Sequence, residues 1–244
     1  MSLKEVCMKL DNKTALITGA SQGIGRAIAL DLANEKINLA LVGRNKEKLK
    51  EVAHECEKLG SKVKIYPFDL TDIEKIPSLI EKVKVDFQVL HILVNNAGTY
   101  VDGNPFESDL KEWDYALDLN FRAVYHLTNQ ALALIPDQDS GAIINVSSIA
   151  GQMTYKGGEI YCATKFALRA YSNCLFESLR EKNIKVTCIY PGFVNTELGR
   201  GENLDESKMI QPEDIASTVN FFLKTPITAC QTEIIIRPQR TPYK

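Results

Sequence analysis

Short apolar runs alternate along this chain with longer stretches whose apolar residues recur at helical spacing. Thr14–Thr18, Asn38–Val42, Val63–Tyr66, Val89–Val94, Ala142–Val146, Ile184–Tyr190 and Glu233–Ile236 read as strands. The stretches between them read as helices. Gly23–Asn34 is one, and Lys46–Leu59 is another, with Leu49, Val52, Ala53, Cys56 and Leu59 on one stripe. Gly60 follows, and glycine accepts the left-handed conformation just past a helix end. Such alternation requires parallel strands joined by right-handed crossovers, with helices on both faces. The expectation is an α/β fold: a single domain over residues 1–244 with a doubly wound, seven-stranded parallel sheet. Ligands of such sheets lie outside the carboxyl ends of the strands, where the strand order reverses. Residues that directly follow each strand are therefore the ones to read for function.

Composition removes several classes of function. With 29 Lys+Arg against 31 Asp+Glu, the formal charge is −2, which leaves no basic excess for nucleic acid. No apolar run approaches the roughly 18 residues of a membrane span. The start, Met1-Ser2-Leu3-Lys4-Glu5, has no apolar core of a signal peptide, so a cytoplasmic protein with no membrane partner is expected. Cys7, Cys56, Cys162, Cys174, Cys188 and Cys230 form no CxxC pair, and His54, His91 and His126 no ligand cluster. Reduced thiols and no metal are expected.

The first strand runs into Thr18-Gly19-Ala20-Ser21-Gln22-Gly23-Ile24-Gly25. Glycines here let the backbone turn tightly and approach a pyrophosphate, whose charge then rests on the N-terminus of the next helix. The spacing is GxxxGxG rather than GxGxxG. Further motifs follow in order: Asn95-Asn96-Ala97-Gly98 after the fourth strand, Asn120, Ser148, then Tyr161-Cys162-Ala163-Thr164-Lys165, and Pro191-Gly192 with Thr196 after the sixth strand. From about Asn12 to Leu198 the chain resembles the short-chain dehydrogenase/reductase family, and its ending is similar to the 3-oxoacyl-(acyl carrier protein) reductase-like subgroup. The resemblance implies a Rossmann-type dinucleotide fold. It also implies that Gly19, Ser21, Gln22, Gly23, Ile24 and Gly25 cradle the cofactor, that Asp69 and Leu70 contact adenine, and that Asn96, Ala97 and Gly98 line the cleft. Tyr161, Lys165, Pro191, Gly192, Val194 and Thr196 would complete the cofactor site.

The second strand speaks to cofactor choice. An acid about 20 residues beyond the glycines binds a ribose 2′-hydroxyl, whereas an arginine accommodates a 2′-phosphate. Gly43 stands where the family's NAD users carry Asp, and Arg44 follows. A guanidinium binds phosphate bidentately and a carboxylate would repel it, so NADP(H) is the expected cofactor.

A carbonyl that accepts hydride needs a proton donor and fixed hydrogen bonds. Tyrosine, with an unperturbed pKa of about 10, is a poor donor–acceptor at neutral pH, and a nearby cation lowers that value. Lys165 lies four residues beyond Tyr161, on the same helix face. The resemblance gives Lys165 a hydrogen bond to the nicotinamide ribose, makes Ser148 and Tyr161 the holders of the substrate oxygen, and lets Asn120 anchor a water that links Lys165 to solvent. The expected activity is interconversion of a ketone or aldehyde and its alcohol, with a 3-oxoacyl thioester or 3-oxo acid as one substrate class. Two alternatives stay open at this point: a non-catalytic nucleotide sensor or scaffold, and an NAD-dependent alcohol dehydrogenase.

Two further readings concern packing. Apolar residues from Ala163 to Leu179, including Phe166, Leu168, Cys174 and Leu175, cover more of the helix than one sheet contact needs, which predicts a homodimer or homotetramer. Residues 197–211 occupy the place of the family's substrate lid and carry Arg200, Glu202, Asp205, Glu206 and Lys208. Pro212-Glu213-Asp214 then suits a helix start.

Overall fold

The computed structural model describes residues 9–136, 141–199 and 203–244; Met1–Glu5, Cys7, Arg200 and Glu202 lie outside them. The strands are apolar on both sides because helices cover both sides. β1 (Thr14–Thr18), β5 (Ala142–Val146) and β6 (Lys185–Pro191) are buried at every residue. With β2 (Asn38–Gly43), β3 (Val63–Pro67), β4 (Ile92–Asn95) and β7 (Glu233–Ile236) they form a seven-stranded sheet in the order β3-β2-β1-β4-β5-β6-β7. Every pairing is parallel. This is a Rossmann-type α/β fold.

Strand periodicity of two divides the core into two layers. Ala15, Ile17, Leu39, Leu41, Val94 and Ile144 face one side, where α1 (Gly23–Asn34) and α7 (Pro212–Lys224) pack together. Leu16, Ala40, Val42, Leu93 and Ile143 face the other, under α3 (Ile76–Phe87), α5 (Ala123–Leu132) and α6 (Glu159–Leu179). α2 (Lys46–Lys58) begins with an Asn45 side-chain cap and ends at Gly60, whose φ of +95° is the left-handed turn expected there. α4 (Leu110–Leu117) runs through one π-helical turn, Asp118–Arg122, into α5. α7 starts at Pro212 with a capping box between Gln211 and Asp214. Among the described residues no helix is long and apolar enough to cross a membrane.

Two expectations are corrected. β4 begins at Ile92 rather than Val89, because Gln88 turns with φ +66° and the Leu90 N–H pairs with Leu134 O outside the sheet. The apolar surplus of α6 is smaller than its sequence implies. Leu168 is 1% exposed and, with Leu175 and Leu179, packs into the chain's own core. What remains outside is a narrower stripe of Ala163, Phe166, Ala170 and Cys174.

Candidate active site

β1 pairs with β2 on one side and with β4 on the other, so the chain's switch point lies at the carboxyl ends of β1 and β4. One hydroxyl ties these ends together. Thr18 Oγ1 donates to Val94 O at 3.2 Å and accepts from the N–H groups of Asn96 (2.9 Å) and Ala97 (3.0 Å). Asn96 Nδ2 in turn donates to Thr18 O at 2.9 Å. The glycine loop packs against this knot. Gly19 has φ +64°, and a Cβ on Gly25 would stand 2.6 Å from Asn96 Nδ2, so neither position tolerates a side chain. Gly25 lies under the loop, and the other glycine-loop residues named from the sequence open onto a cavity of about 1160 Å³.

That cavity exceeds the roughly 300–1,000 Å³ of ordinary small-molecule pockets, and it gathers residues from the end of nearly every strand. Arg44 after β2, Asp69 and Leu70 after β3, Asn96, Ala97 and Gly98 after β4, Ser148 after β5, and Pro191, Gly192, Val194 and Thr196 after β6 all line it. Asp69 is held by its own turn, accepting from Thr71 N at 3.0 Å and Thr71 Oγ1 at 2.8 Å. Arg44 Nη1 donates to Tyr115 OH at 2.7 Å, and the absent Gly43 side chain leaves Ser21 Oγ 3.5 Å from where its Cβ would be. A dinucleotide fits this set: tight glycine turns, a helix N-terminus, and polar groups at both ends of a long cleft.

At the α6 end, Tyr161 and Lys165 lie on one face, and the Lys165 amine is 5.7 Å from the centre of the Tyr161 ring. Ser148 lies close enough to the Tyr161 phenol to favour its ionised form. A residue-13-to-207 match to the short chain dehydrogenase family model covers all of these positions. The chain belongs to the short-chain dehydrogenase/reductase family. It is 36% identical, over 94% of its length and 98% of the relative's, to an uncharacterized oxidoreductase of Staphylococcus aureus (strain USA300). A short chain dehydrogenase of Burkholderia cenocepacia solved with NADP superposes with a TM-score of 0.87 at 26% identity, covering 94% of this chain and 98% of that one. A 3-oxoacyl-[acyl-carrier protein] reductase of Brucella melitensis solved with NAD superposes with 0.83 at 26% identity, covering 92% and 95%. The chain is thus a short-chain dehydrogenase/reductase oxidoreductase, on a fold that takes either nicotinamide dinucleotide.

The surroundings of Tyr161 and Lys165 set how readily each holds its proton. Burial pushes the Tyr161 phenol up, and Ser148 draws it partly back. The expected lowering by Lys165 is not found. Burial holds the Lys165 amine down at about 8, so its own charge is disfavoured, and it donates instead to Val146 O at 3.3 Å. Asn120 is held firmly by its protein neighbours. It sits in the π-helical turn and its amide is engaged by protein: Nδ2 donates to Thr99 O at 2.9 Å, and Oδ1 accepts from Thr99 N at 2.8 Å. Only the missing side chain of Gly98 separates it from Lys165, since a Cβ there would be 3.1 Å from Asn120 Oδ1 and 3.6 Å from Lys165 Nζ. π-helical turns recur at functional sites, and this one aims Asn120 inward.

Beneath these residues runs a polar bracket that reading the motifs does not reveal. Asn95 Nδ2 donates to Asn145 Oδ1 (2.8 Å) and Thr128 Oγ1 (3.0 Å); Asn145 Nδ2 donates to Ser172 Oγ (2.8 Å), which donates to Leu168 O (2.7 Å). All four side chains are buried, and they join β4, α5, β5 and α6. The available signal was Asn145 itself, a polar residue inside the apolar run Ala142–Val146. Two other groups had no sequence signal: Lys48, which donates to Gln22 Oε1 at 2.7 Å beside Glu197, and Tyr243, which lines the cavity from the far end of the chain.

Proposed function

We propose that this enzyme reduces a ketone or aldehyde to its alcohol with NADPH, and runs the reverse oxidation with NADP⁺. The observation that carries the reading is the Ser148–Tyr161–Lys165 cluster opening into the same cavity as the glycine loop. When bound, the reduced nicotinamide supplies the hydride. Ser148 and the Tyr161 hydroxyl hold the carbonyl oxygen, and the Tyr161 proton passes to that oxygen as negative charge develops on it. Lys165, now facing a ribose and an incipient phenolate, regains a partner for its charge, which favours the Tyr161 anion left behind. Asn120 fixes the Thr99 backbone next to this route and would anchor a water that passes the replacement proton to Lys165. A nucleotide sensor has no use for a buried phenol aimed into the cavity.

Preference for NADP(H) rests on Gly43 and Arg44. The guanidinium stands at the strand end, where Gly43 contributes no carboxylate against a 2′-phosphate, and Tyr115 already orients it. The exposed stripe on α6, with Phe166 37% exposed, supports a homodimer through that helix. Absorbance of NADPH during incubation with a panel of carbonyl compounds tests the reading. Wild-type turnover that disappears in Tyr161→Phe supports it, and unchanged turnover in that variant overturns it.

A further inference from the structure

Exposed large apolar side chains are not spread evenly over this molecule. Tyr100, Met153, Tyr155, Leu198 and Tyr243 are all exposed, and all line the cavity that holds Tyr161. A cluster of this kind at a cavity mouth marks a ligand surface, where scattered single residues would not. Two details show that the wall is constructed. The Tyr100 ring stands edge-on to Tyr161, 5.1 Å between centroids, and its hydroxyl is tied back to Asp102 Oδ1 at 2.5 Å. Tyr243 is fixed by a short antiparallel ladder: it bridges to Leu204, the Asp205 N–H donates to Pro242 O at 2.7 Å, and the Lys244 N–H donates to Asn203 O at 3.0 Å. Its ring packs edge-on against Phe193 at 5.4 Å.

The charges around this wall are equally informative. Among the described lining residues the cations are Arg26, Arg44, Lys165 and Arg237. Arg26 is paired with Glu55, Arg44 belongs to the end of β2, Lys165 lies beneath Tyr161, and Arg237 follows β7 beside Gly192. At Tyr100 the wall has a carboxylate, Asp102, directly behind it. An anionic group placed against Tyr100 would lose hydration and face the like charge of Asp102.

We propose that the ligand taken up beside Tyr161 is an uncharged carbonyl compound with a bulky aromatic substituent packed against Tyr100 and Tyr243, and that Tyr243 is a specificity-determining residue. This rests on the carbonyl-reductase reading and narrows it away from 3-oxo acids. Aromatic rings favour edge-to-face contact with such a wall and remove large apolar area from water.

Binding and turnover are measured separately. Protein saturated with NADP⁺ is titrated with acetophenone, with 3-oxobutyrate and with the neutral acetoacetyl thioester of N-acetylcysteamine, followed by saturation-transfer NMR. Acetophenone is expected to bind at least about tenfold more tightly than either of the others. Tyr243→Ala weakens acetophenone about fivefold or more, Tyr243→Phe retains it, and both keep the wild-type affinity for NADP⁺. Equal or tighter binding of 3-oxobutyrate or the thioester, or unchanged acetophenone binding in Tyr243→Ala, overturns the inference. Acetophenone that binds as expected and is reduced with neither NADPH nor NADH leaves the inference standing and removes the reductase reading.

Discussion

At the carboxyl end of β1 the cleft is made of backbone and short side chains that touch one another, whereas beside Tyr161 it is made of large side chains carried by segments far apart in sequence. Thr18, Gly19, Gly25 and Asn96 interlock so closely that added atoms have nowhere to go. Tyr100, Tyr155, Leu198 and Tyr243 are exposed and line one cavity only because the fold brings their segments to it. The first construction suits a cofactor whose shape never changes; the second suits a substrate that differs from enzyme to enzyme. Affinity for the dinucleotide and preference among carbonyls should therefore be separable by mutation.

The largest separation is expected from Tyr161→Phe. Loss of one hydroxyl should lower kcat by about two to four orders of magnitude, the usual scale for an acid–base group, while NADPH binding measured by fluorescence stays near wild type. A parallel loss of cofactor affinity would break the division between the two ends.

Lys165 lies where the ends join, and burial makes it a stability element in the free enzyme. Its folded pKa of about 8 is below the ordinary lysine value of 10.5. Below pH 8 the folded state carries the full cost of the buried charge. Between pH 8 and 10.5 the unfolded state binds more protons, so this group's contribution to stability rises with pH. Lys165→Met should accordingly gain on the order of 3 kcal/mol over wild type near pH 7 in urea titrations, a margin that closes by pH 10.5. A margin independent of pH would mean that the amine is not desolvated as described.

Cofactor choice comes next in size. A charge-assisted hydrogen bond contributes roughly 1.5–3 kcal/mol, so wild type should favour NADPH over NADH by about tenfold to hundredfold. Gly43→Asp combined with Arg44→Ser should reverse the order, and raising salt should narrow the wild-type gap because the arginine is exposed. Titration of both reduced cofactors decides it. Equal wild-type affinities would leave Arg44 as a partner of Tyr115 alone. The smallest effect is expected outside the cleft: Phe166→Glu, on the exposed stripe of α6, should shift the enzyme towards monomer in light-scattering mass measurements with catalysis retained. A wild-type monomer at micromolar concentration would sink the dimer.

Legibility in the sequence follows the same division. Buried parallel strands and amphipathic helices carry their periodicity openly, and most element boundaries read from it agree with the structure to within a residue. The start of β4 was missed because Val89 and Leu90 are apolar yet lie in a turn region that Gln88 initiates. Leu168 was read as surplus because a helix sequence does not show how many neighbours it has, and α6 touches both the sheet and the π-helical turn. The cofactor end was readable because its glycines and asparagines are adjacent to strands. The tyrosine wall was not, since Tyr100, Tyr155 and Tyr243 have no common spacing and Tyr243 owes its place to pairing with Leu204.

The buried chain from Asn95 through Asn145 to Ser172 bears on the order of events in folding. Its amide N–H groups are all paired only once β4, α5, β5 and α6 have come together, Asn95 Oδ1 stays without a partner even then, and a half-made version leaves more polar groups stranded in apolar surroundings. Two of its members, Asn145 and Ser172, adjoin the strand and helix that carry Ser148, Tyr161 and Lys165. The amino-terminal β–α units are able to assemble earlier from contacts close in sequence. During refolding, capacity to bind the adenosine part of a nucleotide should return before catalytic competence, and the interval between them would time the closure of that chain.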